Sequence, residues 1–209
     1  SMRETLNLIA KIMGADVTFV EDAQRLPQFL DTCEYGQELQ VCEGVKATFI
    51  DAGHLLGSAS IKLELTENGE TRTIVFSGDI GNVDQPIIRD PQFFKEADYV
   101  VMESTYGNRN HTEVWSYTDE LAAIIDETLG RGGNVVIPAF AVGRTQELLY
   151  FIRQIKDAGL VKSCPDFPVY VDSPLAKAAT TIFCGDLRGY LDEEAMELGK
   201  EGEAMFSFP

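Results

Sequence analysis

Three residues stand where hydrolytic chemistry is done, each at the end of an apolar run: His54 in Asp51-Ala52-Gly53-His54-Leu55-Leu56-Gly57-Ser58-Ala59, Asp79 in Ser77-Gly78-Asp79-Ile80-Gly81, and Glu103 in Val101-Met102-Glu103-Ser104-Thr105-Tyr106-Gly107. Glycines on both sides of His54 let the backbone turn tightly and bring an imidazole into a cleft. Alone, such a histidine is as well explained as a loop or capping residue. The two oxygens of an aspartate at position 79 can reach metal ions roughly 3.5–4 Å apart, the spacing of two-metal hydrolytic sites. An Asx turn accounts for an isolated aspartate there equally well. Glu103 follows four apolar residues, and a carboxyl ending a buried strand is expected to have a raised pKa suited to general acid work, unless it caps the next segment. Strand ends gather along a common sheet edge, so three polar strand ends in succession are read together.

The elements that must position these residues are legible from apolar periodicity. Residues 45–51, 60–65 and 72–76 are dense in β-forming residues, with Asn68-Gly69 as a two-residue hairpin turn between the last two. A strand at 37–41 and buried strands ending in Tyr99-Val100-Val101-Met102 and Val135-Val136-Ile137 complete the apolar runs. Ahead of them, residues 5–13 pattern as an amphipathic helix stopped by Gly14, with a strand at 17–20 and a short helix at 27–32. After Gly107 the rhythm lengthens: helix 118–129, strand 134–138, helix 145–158 and strand 169–172. This alternation predicts a parallel, three-layer α/β arrangement. A domain boundary is expected there, giving residues 1–107 and 108–209. The acidic run 192–203 reads as a solvated helix face.

Composition limits the function classes. The chain has 209 residues, of which 44% are hydrophobic, enough for a real core. Its net charge of −17 argues against a broad cationic surface for gripping phosphates, so any nucleic-acid chemistry is expected to rely on metal that neutralises part of this acidity or on basic groups in a part of the protein outside these residues. Cys33, Cys42, Cys164 and Cys184 contain no C-x-x-C pair, which excludes a zinc ribbon or a thioredoxin-type motif and fits reduced thiols in a cytoplasmic protein. No apolar stretch approaches the roughly 20 residues of a membrane span. Ser58, His54 and Asp79 are the residue types of a serine hydrolase, but no G-x-S-x-G elbow is present; the glycines 53–57 also miss the G-x-G-x-x-G spacing of a dinucleotide site.

The five segments Asp-Ala-Gly-His-Leu-Leu-Gly-Ser-Ala, Ser-Gly-Asp-Ile-Gly, Glu-Ser-Thr-Tyr-Gly, Pro-Ala-Phe-Ala-Val-Gly-Arg-Thr-Gln-Glu and Val-Asp-Ser-Pro-Leu-Ala occur in the order found in β-CASP ribonucleases. Between about Gly44 and Ala176 the chain therefore resembles this branch of the metallo-β-lactamase superfamily. The resemblance implies the later part of an αββα metallo-β-lactamase half followed by the first part of an α/β/α β-CASP domain. It implies zinc, two ions in the full-length protein, with His54 and Asp79 as ligands, Asp79 as the bridge, and Glu103 assisting departure of the leaving oxygen. Arg144, near a helix N-terminus, and Ser173 are the implied substrate contacts. The implied partner is RNA, or single-stranded DNA, cleaved by an exo- or endonuclease; no membrane is involved, and a homodimer is an allowed assembly.

Two features depart from the family pattern. The principal zinc motif, His-x-His-x-Asp-His, does not occur in these 209 residues, and neither do the two later β-CASP histidines. His111 comes too early for either and reads as a surface or hinge residue. The isolated chain is accordingly expected to be inactive. The alternatives are a hydrolase of the same fold acting on a small molecule, and a catalytically dead scaffold or RNA-binding subunit.

Overall fold

The computed structural model describes residues 25–110, 117–185, 187, 189–200 and 206. The helix expected at 5–13, the strand at 17–20 and His111 lie outside the described residues. The chain divides into two compact units, Ser1–Gln37 and Glu38–Pro209. In the first, a 3-10 helix spans Leu26–Phe29, shorter and tighter than the helix expected at 27–32.

The second unit opens with a five-stranded sheet in sequence order: β1 (Glu38–Cys42), β2 (Val45–Asp51), β3 (Ala59–Glu67), β4 (Glu70–Phe76) and β5 (Tyr99–Val101). Strands β1 to β4 pair antiparallel, whereas β5 runs parallel to β4. Asn68 and Gly69 both have positive φ, 51° and 83°, as a primed two-residue turn requires, and they fix the β3–β4 register from Glu67↔Glu70 to Ile61↔Phe76. On the other side of β3, Asp51 pairs with Ala59, so residues 52–58 form the loop of the β2–β3 hairpin. Because β2, β4 and β5 all run in one direction, their C-terminal ends lie on the same edge of the sheet. That edge carries His54, Asp79 and Glu103.

The expected burial of β5 is not found. Tyr99, Val100, Val101 and Met102 are all more than half exposed, because β5 is a three-residue edge strand and the described residues cover neither of its faces.

Among the described residues four helices follow: α1 (Tyr117–Gly130), α2 (Arg144–Asp157), α3 (Pro174–Phe183) and α4 (Glu193–Lys200). Helix α2 is central. Its Leu149, Tyr150 and Phe151 pack with Phe183 of α3 and Ala195 of α4, while Ile152 and the fully buried Ile155 pack with Ala122 and Ile125 of α1, Val161 and Phe167. Burial of such side chains contributes about 1.5–3 kcal/mol each.

The strands expected at 134–138 and 169–172 do not enter any ladder among the described residues. Their period-two pattern persists: Val135, Val169 and Val171 pack against the helices, while Val136 and Tyr170 are about 85% exposed, at 86% and 85%. An extended segment becomes a strand only when its amides find a neighbouring backbone, and here packing on one face acts without that pairing. The architecture is therefore mixed α/β, with the hydrogen-bonded sheet among the described residues lying within 38–101. The acidic run is only partly a solvated face, since Glu194 accepts a 2.7 Å hydrogen bond from the Tyr150 hydroxyl and Asp192 caps α4 through Ala195 N at 2.7 Å. All four cysteines are free thiols, Cys42 and Cys184 exposed. No helix among the described residues is long and apolar enough to cross a membrane.

Candidate active site

The His54 loop is built by backbone demand. Leaving β2, the chain reverses within seven residues, and the buried Asp51 carboxylate accepts from Gly53 N at 2.9 Å to start the turn. Burial pushes the Asp51 carboxyl up, against the pull of that amide and of the Arg89 charge. Ser58 closes the loop: its Oγ accepts from His54 N at 3.1 Å and from Leu55 N at 3.2 Å. This hydroxyl is engaged in holding the loop. Gly53 has φ +59°, and a Cβ there would lie 2.5 Å from Pro91 N, so only glycine fits.

The Asp79 loop is clamped to the His54 loop. Gly81 N donates to Ala52 O at 2.8 Å, and a Cβ on Gly81 would overlap the Gly53 carbonyl. This close approach brings the His54 imidazole and the Asp79 carboxylate together, with Nε2 and Oδ2 4.0 Å apart. Both groups face solvent, at 43% and 78% side-chain exposure, so each is accessible to a shared ligand.

Glu103 joins them from β5. Its Oε1 accepts from Ile80 N at 2.7 Å, beside Asp79, and its own amide donates to Ser77 Oγ at 3.0 Å. The expected rise in its pKa is not found. The amide of Ile80 first, then the hydroxyl and amide of Thr105 and the neighbouring His54, hold the Glu103 carboxyl below its ordinary value, outweighing burial. A carboxylate bonded to backbone N–H groups favours its ionised form, and through Ile80 N the Glu103 carboxylate is tied to the Asp79 loop.

The second half of the chain reaches this edge through α2. Gly143, at φ +81°, begins the helix, and a Cβ on it would collide with Leu55 Cδ2, next to His54. The preceding turn is pinned by its own helix: Thr145 Oγ1 donates to Phe140 O at 2.7 Å, and Gly143 N donates to Gln146 Oε1 at 2.7 Å. Gln146, fully buried, also donates to Ala141 O and to Thr180 Oγ1 on α3. Arg144 is exposed but already paired with Glu147 at 2.6 Å; burial raises the Glu147 carboxyl against the pull of that arginine. Ser173 is the N-cap of α3, its Oγ accepting from Ala176 N at 3.1 Å. Sequence reading missed the clamps at Asp51, Gly81 and Gln146, although the glycines and the Asp-x-Gly spacing were visible signals.

Imidazole nitrogen plus carboxylate oxygen is the donor chemistry of a zinc site. His54 and Asp79 supply two such donors, and no cluster of three or more His, Cys, Asp or Glu suited to a metal exists among the described residues. The fit is that of a partial ligand set.

Residues 145–209 match the Beta-Casp domain model. The chain is 35% identical over 196 residues to Ribonuclease TTHA0252 of Thermus thermophilus, covering 94% of this chain and 43% of that protein. It is 35% identical over 179 residues to an RNase J-like protein of Methanocaldococcus jannaschii, covering 84% and 39%. With the transcription termination factor FttA of Methanosarcina mazei it shares 33% over 149 residues, 69% of this chain and 22% of that one. The chain thus spans less than half the length of these curated relatives. By its ordered motifs, its domain match and these relatives, the chain belongs to the β-CASP family.

Proposed function

We propose that the full-length protein carrying this chain is a zinc-dependent ribonuclease that hydrolyses phosphodiester bonds of single-stranded RNA in RNA processing or decay. The observation that supports this best is the gathering of His54, Asp79 and the Glu103 anchor on one sheet edge, with the imidazole and the free carboxylate 4.0 Å apart. Relatives named ribonuclease and RNase J-like support RNA as the substrate class. In this reading residues 1–107 belong to the metallo-β-lactamase-like half and 108–209 to the β-CASP half.

His54 Nε2 and Asp79 Oδ2 would hold the zinc together with ligands from outside the described residues. Bound zinc supplies Lewis-acid activation of the phosphate and of the attacking water. The chain's own residues do the positioning. Ser58 and Asp51 fix the loop that presents the imidazole, and the Gly81–Ala52 bond sets the spacing between the two loops. Glu103 holds Ile80 and so aims Asp79. Arg144 and Ser173, on the α2 and α3 N-terminal turns, are the proposed substrate contacts.

The test is hydrolysis of a labelled single-stranded RNA by the full-length protein. Asp79→Asn keeps the side-chain shape and removes the charge, and His54→Ala removes the other donor. Both should abolish turnover while leaving the thermal melt of the metal-free protein unchanged. Undiminished cleavage by Asp79→Asn would refute the ligand assignment, and an inactive wild-type protein with bound zinc would favour the scaffold reading.

A further inference from the structure

We propose that Arg109, seated on the ring of Tyr106, grips an internal phosphodiester of single-stranded RNA beside the His54–Asp79–Glu103 edge. The inference rests on the ribonuclease reading and adds to it a contact that neither the motifs nor the relatives assign.

The problem it answers is electrostatic. A net charge of −17 argues against a broad basic surface, which favours holding a polyanion by a few placed cations. Arginines near the helices already carry ion pairs: Arg131 with Glu127, Arg153 with Asp157, and the proposed substrate contact Arg144 with Glu147. On the sheet, Arg72 lies between Glu70 and Asp98. Arg109 differs. Its guanidinium carbon sits 4.7 Å from the centroid of the Tyr106 ring, and no ion pair joins it to a described carboxylate. A guanidinium stacked by one face keeps its N–H edges free, and those edges match the paired oxygens of a phosphate. The ring restricts the long side chain, so less freedom is lost on binding.

Its location is set by backbone bonds. Gly107 N donates to Ser104 O at 3.1 Å and Arg109 N donates to Tyr106 O at 3.2 Å, two tight turns directly after Glu103. A turn brings its ends within about 7 Å, so Arg109 lies within roughly 14 Å of Ser104 by Cα. The cation is thus carried by the same loop that leaves the candidate active edge.

The experiment uses the full-length protein stripped of metal by chelation, so that RNA is bound and not cut. Binding of a fluorescent oligo(U) without a 5′ phosphate is followed by anisotropy across a series of KCl concentrations. Arg109→Ala should weaken binding roughly tenfold at low salt and reduce the slope of log K against log salt by roughly 0.7, the loss of one single-strand phosphate contact. The loss should be the same on oligo(A). Arg109→Lys should restore the slope with part of the affinity, and Tyr106→Leu should weaken binding with little change of slope. Wild-type affinity and slope in Arg109→Ala would overturn this assignment alone, as would a loss of affinity with an unaltered slope. If the wild-type protein binds no oligo(U), the ribonuclease reading falls with it. A lowered melting temperature in Arg109→Ala with intact Arg109→Lys binding still supports the contact; loss in both with lowered melting would mark a structural residue and sink it.

Discussion

Replacing Gly81 by alanine probes the clamp between the two loops. An added Cβ overlaps the Gly53 carbonyl and comes within 2.8 Å of His54 N, and these neighbours are backbone atoms that no rotamer change can move. Relieving the overlap forces the loops apart and breaks the 2.8 Å bond from Gly81 N to Ala52 O. Overpacking of this kind costs about 1–3 kcal/mol, the lost hydrogen bond adds about 1, and the stiffer unfolded chain returns about 0.4–1, for a net loss of roughly 2 kcal/mol. If the loops separate without unfolding, a displacement near 1 Å between His54 and Asp79 should lower turnover by about 10²-fold. Gly57→Ala in the same hairpin loop is the control, since its φ is +82° but nothing lies within 4 Å of the added atom. It should lose only about 1 kcal/mol of backbone strain. Urea denaturation and single-stranded RNA hydrolysis by the full-length protein measure both effects. A Gly81→Ala protein with wild-type midpoint and wild-type turnover would refute the clamp.

Other substitutions separate positioning from chemistry. Glu103→Gln should lower kcat at least about tenfold by loosening the Ile80 anchor, and the defect should be equal on RNA with a sulfur leaving group; rescue on the sulfur substrate would restore the general-acid role instead. Gln146→Leu leaves Gly143 N, Ala141 O and Thr180 Oγ1 short of a partner and should destabilise by about 2–4 kcal/mol in urea melts, with an unchanged midpoint counting against it. Ser173→Ala should lose about 1 kcal/mol as a missing N-cap. A fall in RNA affinity of Ser173→Ala beyond that of its stability would mark the substrate contact, and equal affinity would leave Ser173 a cap alone.

Much of the positioning frame was legible in the residues themselves. Alternating apolar and β-branched side chains marked β2, β3 and β4, Asn68-Gly69 marked their turn, and amphipathic spacing marked α1 and α2, because these are local preferences that a short window carries. The identities of His54, Asp79 and Glu103 were likewise visible as polar strand ends. Helix α3 was not marked out, though Ser173-Pro174 is an N-cap followed by a first-turn proline. Tertiary structure decided the rest. Whether 134–138 and 169–172 join a ladder depends on a neighbouring backbone, which no local pattern supplies. The ionisation of Glu103 turned on which amides it met: burial alone predicted a raised pKa, and the Ile80 and Thr105 donors reversed it. The 4.0 Å approach of His54 to Asp79 arises from strand direction and from two glycine contacts between segments far apart in sequence. Residue type sets what chemistry is available, but the distance between two groups is a property of the paired backbones that carry them.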